Sequence, residues 1–265
     1  MFQFNYVKAK SLADAAALLK ANPEAKLMSG GMTLLPTLKQ GLAQPSHLVD
    51  IGALAELAGI EVKGDTLVIG AATRHYDVAS SAVVKKAIPA LAYLAHQIGD
   101  PQVRNCGTIG GSVANNDPAA DYPSALLALN ATVVTNQREI AADDFFQGMF
   151  ATALEEGEIV VRIVFPLPKR AAYEKFPHPA SGYAMAGVFI ADTAAGVRVA
   201  VTGAGPGVFR WNDAEAALAT GVKAGVLDAL HVDATDLNED FHASREYRAN
   251  LVQVMGKRAL QKLLA

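Results

Sequence analysis

The sequence predicts an α+β fold in two parts, a larger domain over residues 1–170 and a smaller one over residues 171–265. Three observations predict it. Segments of helical and of strand period alternate irregularly through the first part. The run "GEIVVRIVFPLP" reads as a strand that stops at Pro166 and Pro168; neither proline can donate to a β-ladder, and the pair marks the boundary. Beyond it two strand-like runs follow one another and helical period then dominates, so strands and helices segregate.

In chain order, "SLADAAALLKAN" has apolar residues at helical spacing behind Ser11 as N-cap, with Pro23 just past its end. "AKLMSGGMTLLPTLKQG" reads as a short buried strand, a glycine turn and a helix whose first turn accommodates Pro36. "SHLVDIG" is the next strand, and "ELAGIEVKGDTLVIGAATR" alternates around Gly64-Asp65 as a hairpin does. "HYDVASSAVVKKAIPALAYLAHQIGD" is helical in period and interrupted by Pro89, and "PSALLALNATVVT" is a helix running into a strand. In the second part, "YAMAGVFIAD" and "GVRVAVTGAG" are strands joined at Ala194-Ala195-Gly196, and the remainder is expected to be mostly helical.

Composition excludes several function classes. The chain is 265 residues long, 51% hydrophobic and 18% charged, which excludes disorder, and its longest uncharged apolar stretch, Ser124 to Thr135, is too short for a membrane span. The start, "MFQFNYVKAK", does not read as a signal peptide, so the cytoplasm is the expected compartment. A net charge of −3 gives no footprint for nucleic acid. Cys106 is the only cysteine, so no disulfide can close within the chain and any iron–sulfur cluster belongs to another one. Six histidines show no metal-binding spacing, and no resident metal is expected.

Two glycine pairs carry the chemistry. Gly30-Gly31 and Gly110-Gly111 each follow a small hydroxyl-bearing residue within two positions, and each is read as lying between a strand and a helix. Without Cβ atoms, such loops let main-chain N–H groups converge on an anion, and a helix start adds its dipole. The competing reading is two tight turns. Neither loop has the lysine of a nucleotide-hydrolysing phosphate loop, and "GAGPGVFRW" has Val208 where the third glycine of a dinucleotide fingerprint belongs. For a bound phosphate, what remains is a diphosphate held between two loops without metal, as in a dinucleotide such as FAD. Asp117-Pro118 reads as a helix cap. Asp121 one turn later is either an exposed helix residue or an acceptor for a ribose or flavin edge.

"SGGMTLLP", "IGDPQVRNCGTIGGSVANNDPAADYPSALLALNA" and "DFFQGMFATALEEGEIV", in this order and at these intervals, resemble the FAD-binding medium subunit of molybdenum hydroxylases, the xanthine dehydrogenase and aerobic carbon monoxide dehydrogenase family. The resemblance covers essentially the whole chain. It implies a two-part FAD-binding (PCMH-type) domain followed by a small domain with a three-stranded antiparallel sheet and helices. It also implies that Ser29, Gly30, Gly31, Met32 and Thr33, with Gly107, Thr108, Ile109, Gly110, Gly111 and Ser112, hold the FAD diphosphate through backbone amides. Asp121 matches an aspartate that contacts the cofactor, Ile159 lies where main chain meets the adenine, and Lys175 and Tyr183 match positions near the flavin.

The function so implied is electron transfer. A large subunit carrying the molybdenum cofactor oxidises substrate, a small subunit conducts electrons through two [2Fe–2S] clusters, and FAD on this chain delivers them to an external acceptor, in a dimer of heterotrimers. No catalytic acid or nucleophile is expected here. The alternatives are a stand-alone FAD reductase of the same fold superfamily, similar to the enolpyruvyl reductases, and a non-catalytic subunit that has lost FAD. Among nearby residues, Arg104 and Asn105 are read as orienting the second loop or touching a phosphate, with structural hydrogen bonds as the competing role. Cys106 is expected to be a small buried side chain rather than a reactive thiol, His75 and His96 to serve packing or capping against the alternative of approaching the flavin, and Trp211 to lie in the core or an interface rather than to form a cofactor platform.

Overall fold

The structure, a computed structural model, describes residues 2–265. Strands Asn5–Lys8, Lys26–Met28 and His47–Asp50 form a parallel sheet in which the third lies between the other two. Helices Leu12–Ala21 and Leu34–Lys39 make the crossovers that parallel strands need. Ser11 Oγ accepts the Asp14 N–H at 3.1 Å and starts the first of these helices. Pro36 sits in the first turn of the second, where no intrahelical bond needs its missing N–H.

A second sheet has five antiparallel strands in the order Ile60–Lys63, Thr66–Gly70, Val160–Pro166, Thr132–Thr135, Glu139–Ala141. Its first hairpin turns at Gly64, whose φ of +60° suits a glycine at the first turn position. Short helices fill the gap between Thr66–Gly70 and Thr132–Thr135. The stretch expected to break only at Pro89 is three helices, His75–Ser80, Ala82–Ala87 and Pro89–His96. Ser81 makes the additional break, because its ψ of 124° leaves the helical region while its hydroxyl caps the following helix. Helices Pro101–Cys106, Ile109–Asn115 and Tyr122–Ala128 come next. Leu91, Leu94, Ile109, Val113 and Leu126 from this layer pack with Ile69, Ile163 and Phe165 of the sheet, all fully buried, to form the main core.

Beyond Pro168, strands Arg170–Pro177, Ala184–Thr193 and Gly196–Thr202 build an antiparallel sheet, to which the two-residue strand Phe209–Arg210 adds a short fourth member. Ala184–Thr193 is buried along nearly its whole length, and its alternation feeds two cores. Phe189 and Ala191 join the main core, while Val188 and Ile190 face Leu218, Val252 and Met255 of helices Asn212–Ala219 and Arg245–Leu264. Trp211 is a core residue of this outer layer, and a Cβ on Gly256 would stand 2.7 Å from its ring. Residues 220–244, expected to be helical, form turns: Gly221 and Gly225 take φ of +147° and +81°, which break a helix at both points. Among the described residues, no helix is long and apolar enough to cross a membrane.

Candidate functional site

The first glycine stretch lies between strand Lys26–Met28 and helix Leu34–Lys39, as its sequence predicts. Gly31 takes φ +70°, a left-handed turn that lifts the chain off the strand. Among the described residues, the N–H groups of Gly30, Gly31, Met32 and Thr33 donate to no protein acceptor, and Met32 and Thr33 are exposed. Four free amides in succession at a helix start are donors available to an anion.

The second stretch sits against the first. Thr108 Oγ1 donates to Ser29 Oγ at 3.2 Å, and a side chain on Gly30 would run into the Cys106 carbonyl and the Gly107 Cα. The local structure differs from the expected strand–loop–helix. Helix Pro101–Cys106 precedes it, Thr108 is the N-cap of helix Ile109–Asn115, and Gly110 and Gly111 lie inside that helix's first turn. Gly110 is there for packing, since its N–H donates to Ala71 O at 2.9 Å and a Cβ would come 2.5 Å from the Ala71 Cβ.

The amides of this stretch are mostly spent within the protein. Gly107 donates to Val103 O, Ile109 to Thr73 O, Gly110 to Ala71 O, Gly111 to the Thr108 hydroxyl and Ser112 to Thr108 O. Five of the six amides from Gly107 to Ser112 thus donate within the protein, unlike the open set the sequence suggests, because a helix start anchored on a strand end consumes its own donors; the buried Thr108 N–H has no protein acceptor among the described residues, and Gly111 is exposed.

His75 braces this turn. Its N–H donates to Gly107 O at 2.9 Å, and its ring fills the space where a Gly107 side chain would be. Burial, aided by the Arg104 guanidinium, pulls the imidazole down to about 4 and keeps it neutral. Its Nδ1 and the Tyr122 hydroxyl, on rings 5.4 Å apart, are both buried without a protein partner. Arg104 donates to the carbonyls of Ile98 and Gly99 and Asn105 to that of Pro101, which are structural bonds. Cys106 is exposed, contrary to expectation, because it ends a surface helix with only its carbonyl turned toward Gly30.

Asp117 caps the Ala119 N–H and so closes a turn; it does not cap the helix Tyr122–Ala128, whose start has no side-chain cap. Asp121 is buried at 4% exposure, which removes the exposed-helix reading. Its carboxylate accepts the Tyr173 hydroxyl at 2.5 Å and lies 2.9 Å from the Lys175 ammonium. Burial pushes this carboxyl above its ordinary value, against the opposing pull of the ammonium and the hydroxyl. No motif marks Tyr173, although its position two residues before Lys175 puts both side chains on one face of a strand.

Ile159 is buried, its N–H donating to Asn136 Oδ1 at 2.8 Å and its carbonyl accepting Asn136 N–H at 3.0 Å. The carbonyl retains a second lone pair, whereas the donor is used. Glu158 fixes this segment by accepting from Arg138, the Thr135 hydroxyl and Glu155 N–H, and the Arg138 guanidinium leads in holding its carboxyl at about 2. Tyr183, 45% exposed, ends the loop that begins at His178, and Asp117 and Asp121 lie in its surroundings.

A parallel βαβ sheet, a five-stranded sheet with an inserted helical layer, and a glycine turn with free amides set against a second glycine-bearing helix start suit a protein that binds the diphosphate of a dinucleotide. The comparisons agree. The family described as the FAD binding domain in molybdopterin dehydrogenase matches residues 2–168. The carbon monoxide dehydrogenase medium chain of Hydrogenophaga pseudoflava is 37% identical over 97% of this chain and 96% of its own length. The glyceraldehyde dehydrogenase medium chain of Sulfolobus acidocaldarius is 34% identical, covering 98% of both. Among solved structures, the H. pseudoflava carbon monoxide dehydrogenase lacking the Mo-pyranopterin moiety matches with a TM-score of 0.91 over 99% of this chain and 98% of that one. Quinoline 2-oxidoreductase from Pseudomonas putida 86 matches with a TM-score of 0.90 at 28% identity, covering 99% and 97%. The chain belongs to the FAD-binding family of molybdopterin dehydrogenases and is a flavoprotein subunit of a molybdenum hydroxylase.

Proposed function

We propose that this chain is the electron-transfer subunit of its hydroxylase, taking electrons from the [2Fe–2S] clusters of a small partner subunit and passing them to an external acceptor. The four free amides of Gly30 to Thr33, walled by the Thr108 turn, support the reading most directly. They would hold the FAD diphosphate, with Ser29, Thr108 and the Gly111–Ser112 flank closing the cradle. The Gly107, Ile109 and Gly110 backbones anchor that wall. Ile159 offers its carbonyl toward the adenine, and Asp121, Lys175 and Tyr183 form the flavin end. Bound flavin supplies the exchange between single-electron and paired-electron transfer. The protein supplies binding, orientation and shielding.

Residues 1–170 would carry most of the cofactor contacts and residues 171–265 the lid side of the site. The names of the relatives, medium chains and medium subunits, support partners: a small iron–sulfur subunit and a large subunit with the molybdenum cofactor, assembled in the cytoplasm as a dimer of heterotrimers. Purified full-length protein is expected to be yellow and to release FAD on denaturation. Protein that stays colourless and fails to bind added FAD overturns the cofactor assignment. A tagged chain is expected to bring down iron and molybdenum in its complex, and elemental analysis without either metal overturns the partners.

A further inference from the structure

The geometry points to His178 and His242 as a proton-operated clasp that fastens the loop 178–183 to the turn 240–243 and opens when the pair takes up one proton. No cofactor takes part. The loop follows strand Arg170–Pro177 and closes on itself, with His178 N–H donating to Tyr183 O at 2.7 Å and Gly182 N–H to His178 O at 2.9 Å. The turn precedes helix Arg245–Leu264 and is pinned by Asp240, whose Oδ1 accepts the N–H groups of His242 and Ala243 at 2.9 and 3.1 Å. Between the two segments, His178 Nε2 stands 3.2 Å from His242 Nδ1, and the rings meet edge to face with centroids 4.4 Å apart.

A neutral imidazole has one N–H to donate and one lone pair to accept. His178 Nδ1 accepts the N–H groups of Ala180 and Ser181 at 3.2 and 3.4 Å, so the proton of this ring sits on Nε2. It therefore donates to His242 Nδ1, and the proton of His242 sits on its own Nε2. Both Nδ1 lone pairs are then in use. One more proton on His242 sets two N–H groups head to head, whereas one more on His178 sets an N–H against the donors of Ala180 and Ser181. The first breaks the clasp and the second breaks the loop's own turn.

The surroundings select His242 for the proton. Its ring lies against Phe241 with centroids 3.7 Å apart, and the Asp240 carboxylate is near enough to feel its charge. An aromatic face and a carboxylate both favour an imidazolium, so the open state has a place for its charge. Phe241 is 92% exposed and buries nothing in the core; stacking on His242 is the contact it makes. The other charges around the turn are paired, Arg248 with Asp240 at 2.8 Å and Arg245 with Glu239 at 3.4 Å. On the loop side stand the Lys175 ammonium, which donates to Gly182 O at 2.9 Å, and Asp117 and Asp121 in the surroundings of Tyr183. The loop of His178 is thus held by a cation, while His242 has a carboxylate beside it.

Hydrogen exchange in the full chain, corrected for the intrinsic rate at each pH, reads the clasp between about pH 8 and pH 5, the span in which imidazoles ionise. The amides of His178 and Gly182 are expected to lose protection on acidification by about fivefold relative to those of strand Ala184–Thr193, the worth of one neutral hydrogen bond. His242→Asn puts an amide oxygen where Nδ1 stands, which keeps the acceptor and removes the titration, so the protection should survive the acid step. His178→Phe removes the donor and should leave both amides weakly protected throughout. An unchanged wild-type ratio across that span, or the same loss in His242→Asn, overturns the clasp.

The ring nitrogens give a second readout that needs no variant and no bound FAD. At the alkaline end, nitrogen NMR of histidine-labelled protein should show both rings protonated on Nε2, and on acidification His242 should gain its second proton before His178 does. A proton on His178 Nδ1 at the alkaline end, or uptake at His178 first, overturns the assignment, whether or not the protein is yellow.

Discussion

Gly110 and Gly111 are neighbours in one helical turn, and alanine at the two positions is expected to act in opposite ways. At Gly110 a Cβ would lie 2.5 Å from the Ala71 Cβ and 2.7 Å from the Ala71 carbonyl oxygen, about 1 Å inside ordinary contact. The helix must back away, which strains the packing by about 1–3 kcal/mol and stretches the 2.9 Å bond from Gly110 N–H to Ala71 O, worth about 1 kcal/mol. Alanine's better helix propensity offsets about 1 kcal/mol of this. The net is a loss of about 1–3 kcal/mol. At Gly111 the nearest atom is the Thr108 hydroxyl at 3.0 Å and the remaining space is open, so the propensity gain leaves Gly111→Ala within about 1 kcal/mol of wild type or above it. Urea unfolding without added nucleotide measures the stabilities, and calorimetric titration with FAD measures binding. Gly110→Ala should lower the unfolding midpoint, whereas Gly111→Ala should keep it and lose FAD affinity, because the added methyl stands on an exposed flank beside the Thr108 hydroxyl that bonds Ser29 of the first turn. An unchanged midpoint for Gly110→Ala would refute the packing argument. Wild-type FAD affinity in Gly111→Ala would remove this helix start from the site.

Three further outcomes are expected. His75 stays neutral in the folded protein down to about 4, against an ordinary value of 6.5, so between those values the unfolded chain binds more protons. Its contribution, at most about 3 kcal/mol, is complete above pH 6.5 and drains away as pH falls toward 4. His75→Phe should flatten that part of a stability profile, and an unaltered slope would count against it. Glu158, held at about 2 against an ordinary 4.5, contributes stability that is present above pH 4.5 and disappears as pH falls toward 2. Arg138→Met should bring that loss on at higher pH, which acid titration followed by circular dichroism will show. Gly30→Ala should prevent stable folding, since the obstacle is the Cys106 backbone and no rotamer can clear it; a soluble variant of wild-type melting temperature would contradict the close approach of the two turns.

Features written in local chemistry could be read from the chain: the Ser11 cap, the Gly64 hairpin, the turn before Gly196 and the Ser29–Thr33 turn between strand and helix each depend on residues within a few positions. The second glycine pair misled for a physical reason. Glycine is a poor helix former, so Gly110 and Gly111 look like loop, and only the distant strand end at Ala71 explains why a helix starts there without a side chain. Asp117-Pro118 signals equally a turn and a helix start, and the chain uses it for the turn. The bonds from Tyr173 and Lys175 to Asp121 join residues more than fifty positions apart, and no periodicity reports such a pairing. The spent amides of Gly107 to Ser112 were equally invisible, because counting donors needs the acceptors in place.

Strand Ala184–Thr193 sends Phe189 and Ala191 into the main core, together with Tyr173 from its neighbour, so one oily interior spans both sides of the double proline at Pro166 and Pro168. Cutting the chain there would strip a greasy wall from both pieces. Recombination between relatives would have to move the two halves as a matched set, since a foreign second half brings the wrong shapes to fill the first.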